Sequence, residues 1–129
     1  MKGYATVFLI LAWALHAAAH HSVAAGYDMD KTTTVVGTIT KMEWRNPHAR
    51  LSIEVKNEQA TLETWEVWFS SANGLYRRGW REDDLPVGAT VTVTGFRARD
   101  GSRQLYGGGE TKLADGRVLF GGDNPAEGR

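Results

Sequence analysis

Three short runs of strictly alternating apolar and polar residues constrain this chain more than anything else in it. Leu51, Ile53 and Val55 alternate with Ser52, Glu54 and Lys56, while Trp65, Val67 and Phe69 alternate with Thr64, Glu66 and Trp68. Val91 and Val93 alternate in the same way with Thr90, Thr92 and Thr94. A period of two puts one face of each run in a core and the other towards water, which is the pattern of a half-buried strand. Ahead of them, residues 32–44 are crowded with threonine, valine and isoleucine, which also reads as a strand. Gly37 inside that stretch is expected to mark a bulge or sharp bend.

The connections carry turn chemistry. Asn46-Pro47 turns the chain between the first two strands, because the residue before proline avoids the helical region. Residues 57–60 make a hairpin connection. Residues 70–79 break the β pattern: Ser70 and Ser71 suit an N-cap, Arg77 and Arg78 lie near the end, and Gly79 sits where a helix is stopped. A short helix is expected there, then a polar turn over 82–88. Asp100-Gly101 signals a hairpin into a fifth strand through Leu105 and Tyr106, interrupted at the glycines 107–109. Asp115-Gly116 turns the chain again into residues 118–120. Three strands, a helix and two more strands is the order of an OB-like barrel, a five-stranded Greek key. The expected class is therefore all-β, a five-stranded OB-like Greek-key barrel over 32–120, with a small open β-sandwich as the alternative.

Charge along the chain is uneven. The first 27 residues contain no acid and one base, Lys2, followed by a run of about eleven apolar residues ending at Leu15. A membrane-crossing helix needs roughly twenty such residues. A run of this length matches the core of a secretory signal, and Ala17-Ala18-Ala19 supplies the small residues a signal peptidase reads. Residues 1–19 are expected to be a cleaved signal, 20–31 an extended lead-in and 121–129 a disordered tail. Cleavage after Ala25 is the alternative, since Val23-Ala24-Ala25 also fits. The expected location is the bacterial periplasm or exterior, with no stable membrane insertion.

Formal charge is zero, with 15 basic and 15 acidic residues, and there is no cysteine. A neutral chain lacks the surplus of lysine and arginine that neutralises phosphates, so no nucleic-acid partner is expected. Without cysteine there is no disulfide, thiolate metal site or thiol nucleophile. Nucleophile-elbow, zincin and phosphate-loop motifs are missing too, and no acid/base pair presents itself.

Histidine is the remaining chemistry. Loss of residues 1–19 would leave His20, His21 and His48, with His20 as the first residue. An N-terminal histidine can grip one ion through its free α-amine and its own Nδ1. A second imidazole completes three nitrogens in a T-shaped plane, a histidine brace suited to the tetragonal preference of copper(II). His48 is the candidate third donor, and His21 could replace it. The bland reading is that His48 hydrogen-bonds across its turn. A metal-free alternative is a binding module for a small glycan or peptide, using Trp44, Trp68, Arg45, Arg77 and Arg78 as stacking and carboxylate-holding groups. By alternation, Trp65 belongs in the core and Trp68 on the outer face. Arg77 and Arg78 could instead complement the helix dipole and pair with the acids at 82–84.

Three strings then become informative together: His20-His21-Ser22, Gly37-Thr-Ile-Thr-Lys-Met-Glu-Trp-Arg-Asn-Pro-His48 and Arg77-Arg-Gly-Trp80. They resemble a family of small secreted bacterial proteins of unknown function, over nearly all of the chain beyond the signal. Glu43-Trp-x-Asn-Pro-His48 is the most specific element. Val23 departs from the aromatic usual after His-His-Ser. The resemblance implies export and domain boundaries, and supplies no activity.

Overall fold

The computed structural model describes residues 24–107 and 109–120. The expected signal, His20, His21 and the expected tail lie outside the described residues. Among the described residues, 24–26 are helical where an extended lead-in is expected, and seven strands and a short helix follow in order: β1 (Tyr27–Glu43), β2 (Arg50–Lys56), β3 (Leu62–Trp68), α1 (Ala72–Arg77), β4 (Thr90–Ala98), β5 (Gln104–Tyr106), β6 (Glu110–Leu113) and β7 (Val118–Phe120). A single 3-10 turn, Glu82–Asp84, lies between α1 and β4.

Pairing closes the sheet. β1 runs antiparallel to β2 along one edge and to β4 along the other. β2 pairs with β3, β3 lies parallel to β5, and β5 returns antiparallel to β4. The ring β1-β2-β3-β5-β4-β1, with a helix between β3 and β4, is an OB-like barrel. The open sandwich is excluded by that closure. β6 and β7 form an added hairpin on β4.

One long strand makes the closure possible. Thr38 pairs with Glu54 of β2 and also with Thr90 of β4, so β1 passes from one neighbour to the other there. Gly37 sits at that handover. A Cβ at Gly37 would lie 2.4 Å from the Glu54 carbonyl oxygen, so only glycine admits the approach. The expected bulge at Gly37 falls elsewhere: its register with β4 is unbroken, and the shift lies between Ile39 and Lys41. Close packing, rather than an extra residue, explains this glycine.

The lead-in also differs from expectation. Tyr27 and Asp28 already pair with Ala98 and Arg97 of β4, and the register shifts between Asp28 and Thr32. Residues in such an irregularity have no regular inward or outward alternation, so the sequence shows no strand there.

The inward faces meet as the alternation requires. Leu51, Ile53, Val67, Phe69, Val93 and Leu105 are fully buried. α1 and the segment leading from it to Trp80 add Leu75 and Trp80 to the core cluster. Ser71 caps the helix by accepting from the Gly74 amide at 3.0 Å, and Gly79 continues the chain at φ 93°. Leu75 goes inside, and Trp80 stands edge-on to Phe69 with ring centroids 5.4 Å apart. Asp84 finds its cation in Arg117 at 2.7 Å, which ties the 3-10 turn to the β6–β7 hairpin.

Candidate functional site

The turn at 45–48 is bound to the start of α1. The Ala72 amide donates to the Arg45 carbonyl at 3.1 Å, and the Asn73 amide to Asn46 Oδ1 at 3.2 Å. The Asn46–Pro47 peptide is cis. Pairing of β2 with β3 continues past the strand ends, because Ala49 N donates to Ser70 O and Phe69 N to Ala49 O, each at 3.0 Å. These bonds place His48 against residues 69–70.

The His48 ring is oriented by one contact. Its Nδ1 lies 2.9 Å from the Phe69 carbonyl oxygen. A carbonyl only accepts, so Nδ1 carries the hydrogen, and in the neutral imidazole Nε2 is then the atom with the lone pair. Metal-ligating histidines are commonly fixed by this kind of bond, although a structural histidine can make it too. His48 therefore hydrogen-bonds to the end of the β3 run and not across its own turn, and in the neutral ring Nε2 is left over.

A groove of about 620 Å³ opens beside this ring. Its lining includes His48, Ser70, Gly74, Arg77, Arg78 and Tyr106. That volume lies within the range of small-ligand sites. Ser70 Oγ is buried without a hydrogen-bond partner among the described residues. No carboxylate is among the described residues lining the groove. Arg77 leans back on its own helix, donating from Nε to the Asn73 carbonyl at 3.2 Å.

The start of β1 lies close by. Tyr27 packs its ring 5.7 Å from that of Tyr106, the same Tyr106 that lines the groove. Its hydroxyl donates to Gln104 Oε1 at 3.4 Å. Burial pushes the Tyr27 phenol above its ordinary range, helped by the charges of Asp100 and Glu66.

The other candidates divide between two places. Trp68 is half-buried on the outer face, edge-on to His48 at 6.2 Å, with the Arg50 guanidinium 5.1 Å from its ring centre. Arg50 is held in turn by Glu43 and by Glu66. Arg45 joins the same cluster, 3.7 Å from Glu43. The hydrogen bond from Arg50, with Lys41 and Arg45 adding to it, holds the Glu43 carboxyl below the usual carboxylate range. Trp44 packs against the core. Of the five residues expected to bind a glycan or peptide, only Arg77 and Arg78 line the groove with His48. Ser70, Gly74 and Tyr106 escaped the sequence reading. The serine pair was legible as a cap signal, and nothing local shows that its first member faces a groove.

No group of three or more His, Cys, Asp or Glu that could hold a metal occurs among the described residues. No helix among them is long and apolar enough to cross a membrane. The model of a family of unknown function, DUF6152, matches residues 8–107. The chain belongs to that family. Its matched region runs through the Asn-Pro-His turn and the Arg-Arg-Gly-Trp segment to the end of the groove. No curated protein matches the chain. Among solved structures it is similar to the N-terminal domain of PriB protein from Thermoanaerobacter tencongensis. The two are 21% identical with a TM-score of 0.43, over 70% of this chain and 97% of that one.

Proposed function

We propose that this family member is an exported single-barrel protein that binds a copper ion. His20 would supply its α-amine and Nδ1, and His48 its Nε2, with His21 as the alternative imidazole. The supporting observation is the orientation of His48: Nδ1 is committed to Phe69, which leaves Nε2 as the atom that could donate to a metal from a neutral ring lining the groove. The position of Tyr27 adds to it. Residues 24–26 are helical, so only the four steps from His20 to residue 24 could be fully extended, at about 3.4 Å each. That gives a reach of at most roughly 14 Å from residue 24, just ahead of a strand whose Tyr27 packs on Tyr106. Copper in this arrangement would be carried or buffered.

The first measurement is the mass of the exported protein. A chain starting at Gly26 would end the proposal, because both donor histidines would be gone. If His20 is the first residue, copper titration should show His48→Ala binding at least about tenfold more weakly, the loss of one of three nitrogen donors. Equal affinities would remove His48 from the site. Affinity should also fall as pH is lowered, since protons compete for the amine and imidazoles.

A second reading is favoured by the two guanidiniums at the groove. In it, Arg77 and Arg78 bind an acidic glycan or peptide without metal. That reading predicts a tryptophan fluorescence change with ligand and none with copper.

A further inference from the structure

We infer that the groove binds a hydroxy acid: a carboxylate with a hydroxyl close beside it, as in a uronic-acid sugar or a small hydroxy carboxylate. Arg77 and Ser70 hold the carboxylate, and His48 takes the hydroxyl. The inference rests on the metal-free reading and adds to it which kind of acid is preferred.

Ser70, Arg77 and His48 reach the groove from three different segments, and the first two are donors. Ser70 Oγ is buried without a partner among the described residues. A bond left unmade at a buried hydroxyl is costly, and a ligand oxygen would accept its hydrogen. Gly74 leaves room beside it, where a Cβ would lie 3.3 Å from Ser70 Oγ. Arg77 gives its Nε hydrogen to the Asn73 carbonyl at 3.2 Å. A guanidinium has five N–H donors, so four remain, in a planar fork that matches the two oxygens of a carboxylate. Arg78 lines the groove too but has an interaction of its own, and the assignment does not depend on it.

His48 is the opposite kind of group. Its Nδ1 hydrogen goes to the Phe69 carbonyl at 2.9 Å, so in the neutral ring Nε2 can only accept. A carboxylate oxygen has no hydrogen to give it, whereas a hydroxyl has. A simple acid would therefore satisfy Arg77 and Ser70 and leave the Nε2 lone pair unmatched. A neutral sugar would reach His48 and leave the guanidinium fork unmatched. One small molecule carrying both groups answers all three side chains. No carboxylate is among the described residues lining the groove, so none there repels that of the ligand.

Calorimetry on the exported protein, with a chelator present to keep it metal-free, tests this with two pairs of probes. Lactate and propanoate differ by the hydroxyl, and glucuronate and glucose by the carboxylate. Lactate should bind about tenfold more tightly than propanoate, and glucuronate at least as far ahead of glucose. R77Q should weaken both acids. S70A should weaken them too while its thermal midpoint stays level or rises, because it removes a buried hydroxyl that the fold leaves unpaired. H48F, which keeps a ring without nitrogens, should bring lactate down to the level of propanoate. The lactate-to-propanoate ratio of the parent protein stands whatever that variant does to folding. Glucuronate ahead of lactate assigns the site to acidic sugars, and the reverse order to small hydroxy acids. Equal affinity for lactate and propanoate overturns the inference and leaves the metal-free reading standing, with an acidic peptide as its ligand. Binding of neither acid overturns both. Inorganic phosphate binding as tightly as lactate overturns the assignment to carboxylates.

Discussion

At the scale of single residues, two kinds of side chain dominate this molecule: histidine with a committed nitrogen, and glycine where none fits. His48 contributes one hydrogen bond to its fold, so His48→Ala should cost only about 0.5–1.5 kcal/mol in urea unfolding. The same change would act far more strongly on copper affinity under the proposed function. A variant that unfolds before it loses copper would reverse that order. Gly37 shows the opposite balance. Its missing Cβ would meet the Glu54 carbonyl at 2.4 Å, and that of Gly95 the Tyr106 carbonyl at 2.5 Å. Both contacts are with backbone, which cannot swing aside as a side chain can. Gly37→Ala should therefore destabilise by about 1–3 kcal/mol or more, read as a lowered urea midpoint with little change in slope. An unchanged midpoint would mean that β1 can shift relative to β2 at no cost.

At the scale of elements, α1 is too short to persist alone, since isolated helices below about 12 residues are marginal in water. It exists because Ser71 caps it and because Ala72 and Leu75 are buried. Ser71→Ala should cost about 1 kcal/mol. Because Arg77 and Arg78 ride on this element, the substitution should also weaken anything the groove binds. Truncating Trp80, which is 1% exposed and packed on Phe69, is a much larger loss. Trp80→Ala should cost about 3–5 kcal/mol, and a milder effect in thermal or urea unfolding would show that the surrounding core can collapse to fill the space.

For the molecule as a whole, acid stability follows from carboxylates held by arginines. The Arg50 hydrogen bond lowers Glu43. Burial pushes Asp84 upwards, but hydrogen bonds from Arg117 and the Arg81 amide outweigh it and leave that carboxyl below the ordinary range. The Arg117 amide and side chain lower Asp115. A carboxylate depressed in the folded state contributes stability that is complete above its unfolded value of about 4 and lost as pH falls through the lower folded value. Unfolding free energy should thus be flat between about pH 7 and 5 with respect to these groups and fall below about 4. Asp84→Asn, which removes the link between the 3-10 turn and the β6–β7 hairpin, should make the acid limb shallower. An acid limb as steep as that of the parent protein would show that the Asp84–Arg117 bridge does not report on folding.

Strands at 51–56 and 64–69 are legible in the sequence because each has one wet face, and alternation records that asymmetry directly. The outward place of Trp68, the burial of Trp65 and the helix between Ser71 and Gly79 follow from the same local rules. Barrel closure is a different matter. It depends on β1 changing partners at Thr38, and no residue of β1 announces the identity of its two neighbours. The start of β1 at Tyr27 was hidden for a related reason, since residues 29–31 interrupt the register and carry no period. The groove lies still further from the local signal. His48, Ser70, Arg77 and Tyr106 come from four separate places in the chain and meet only because the turn at 45–48 bonds to α1 while β5 lies beside β3. Periodicity and capping therefore determine the elements, being properties of neighbouring residues. Tertiary structure alone decides which side chains share a groove, because that depends on pairings between residues distant along the chain.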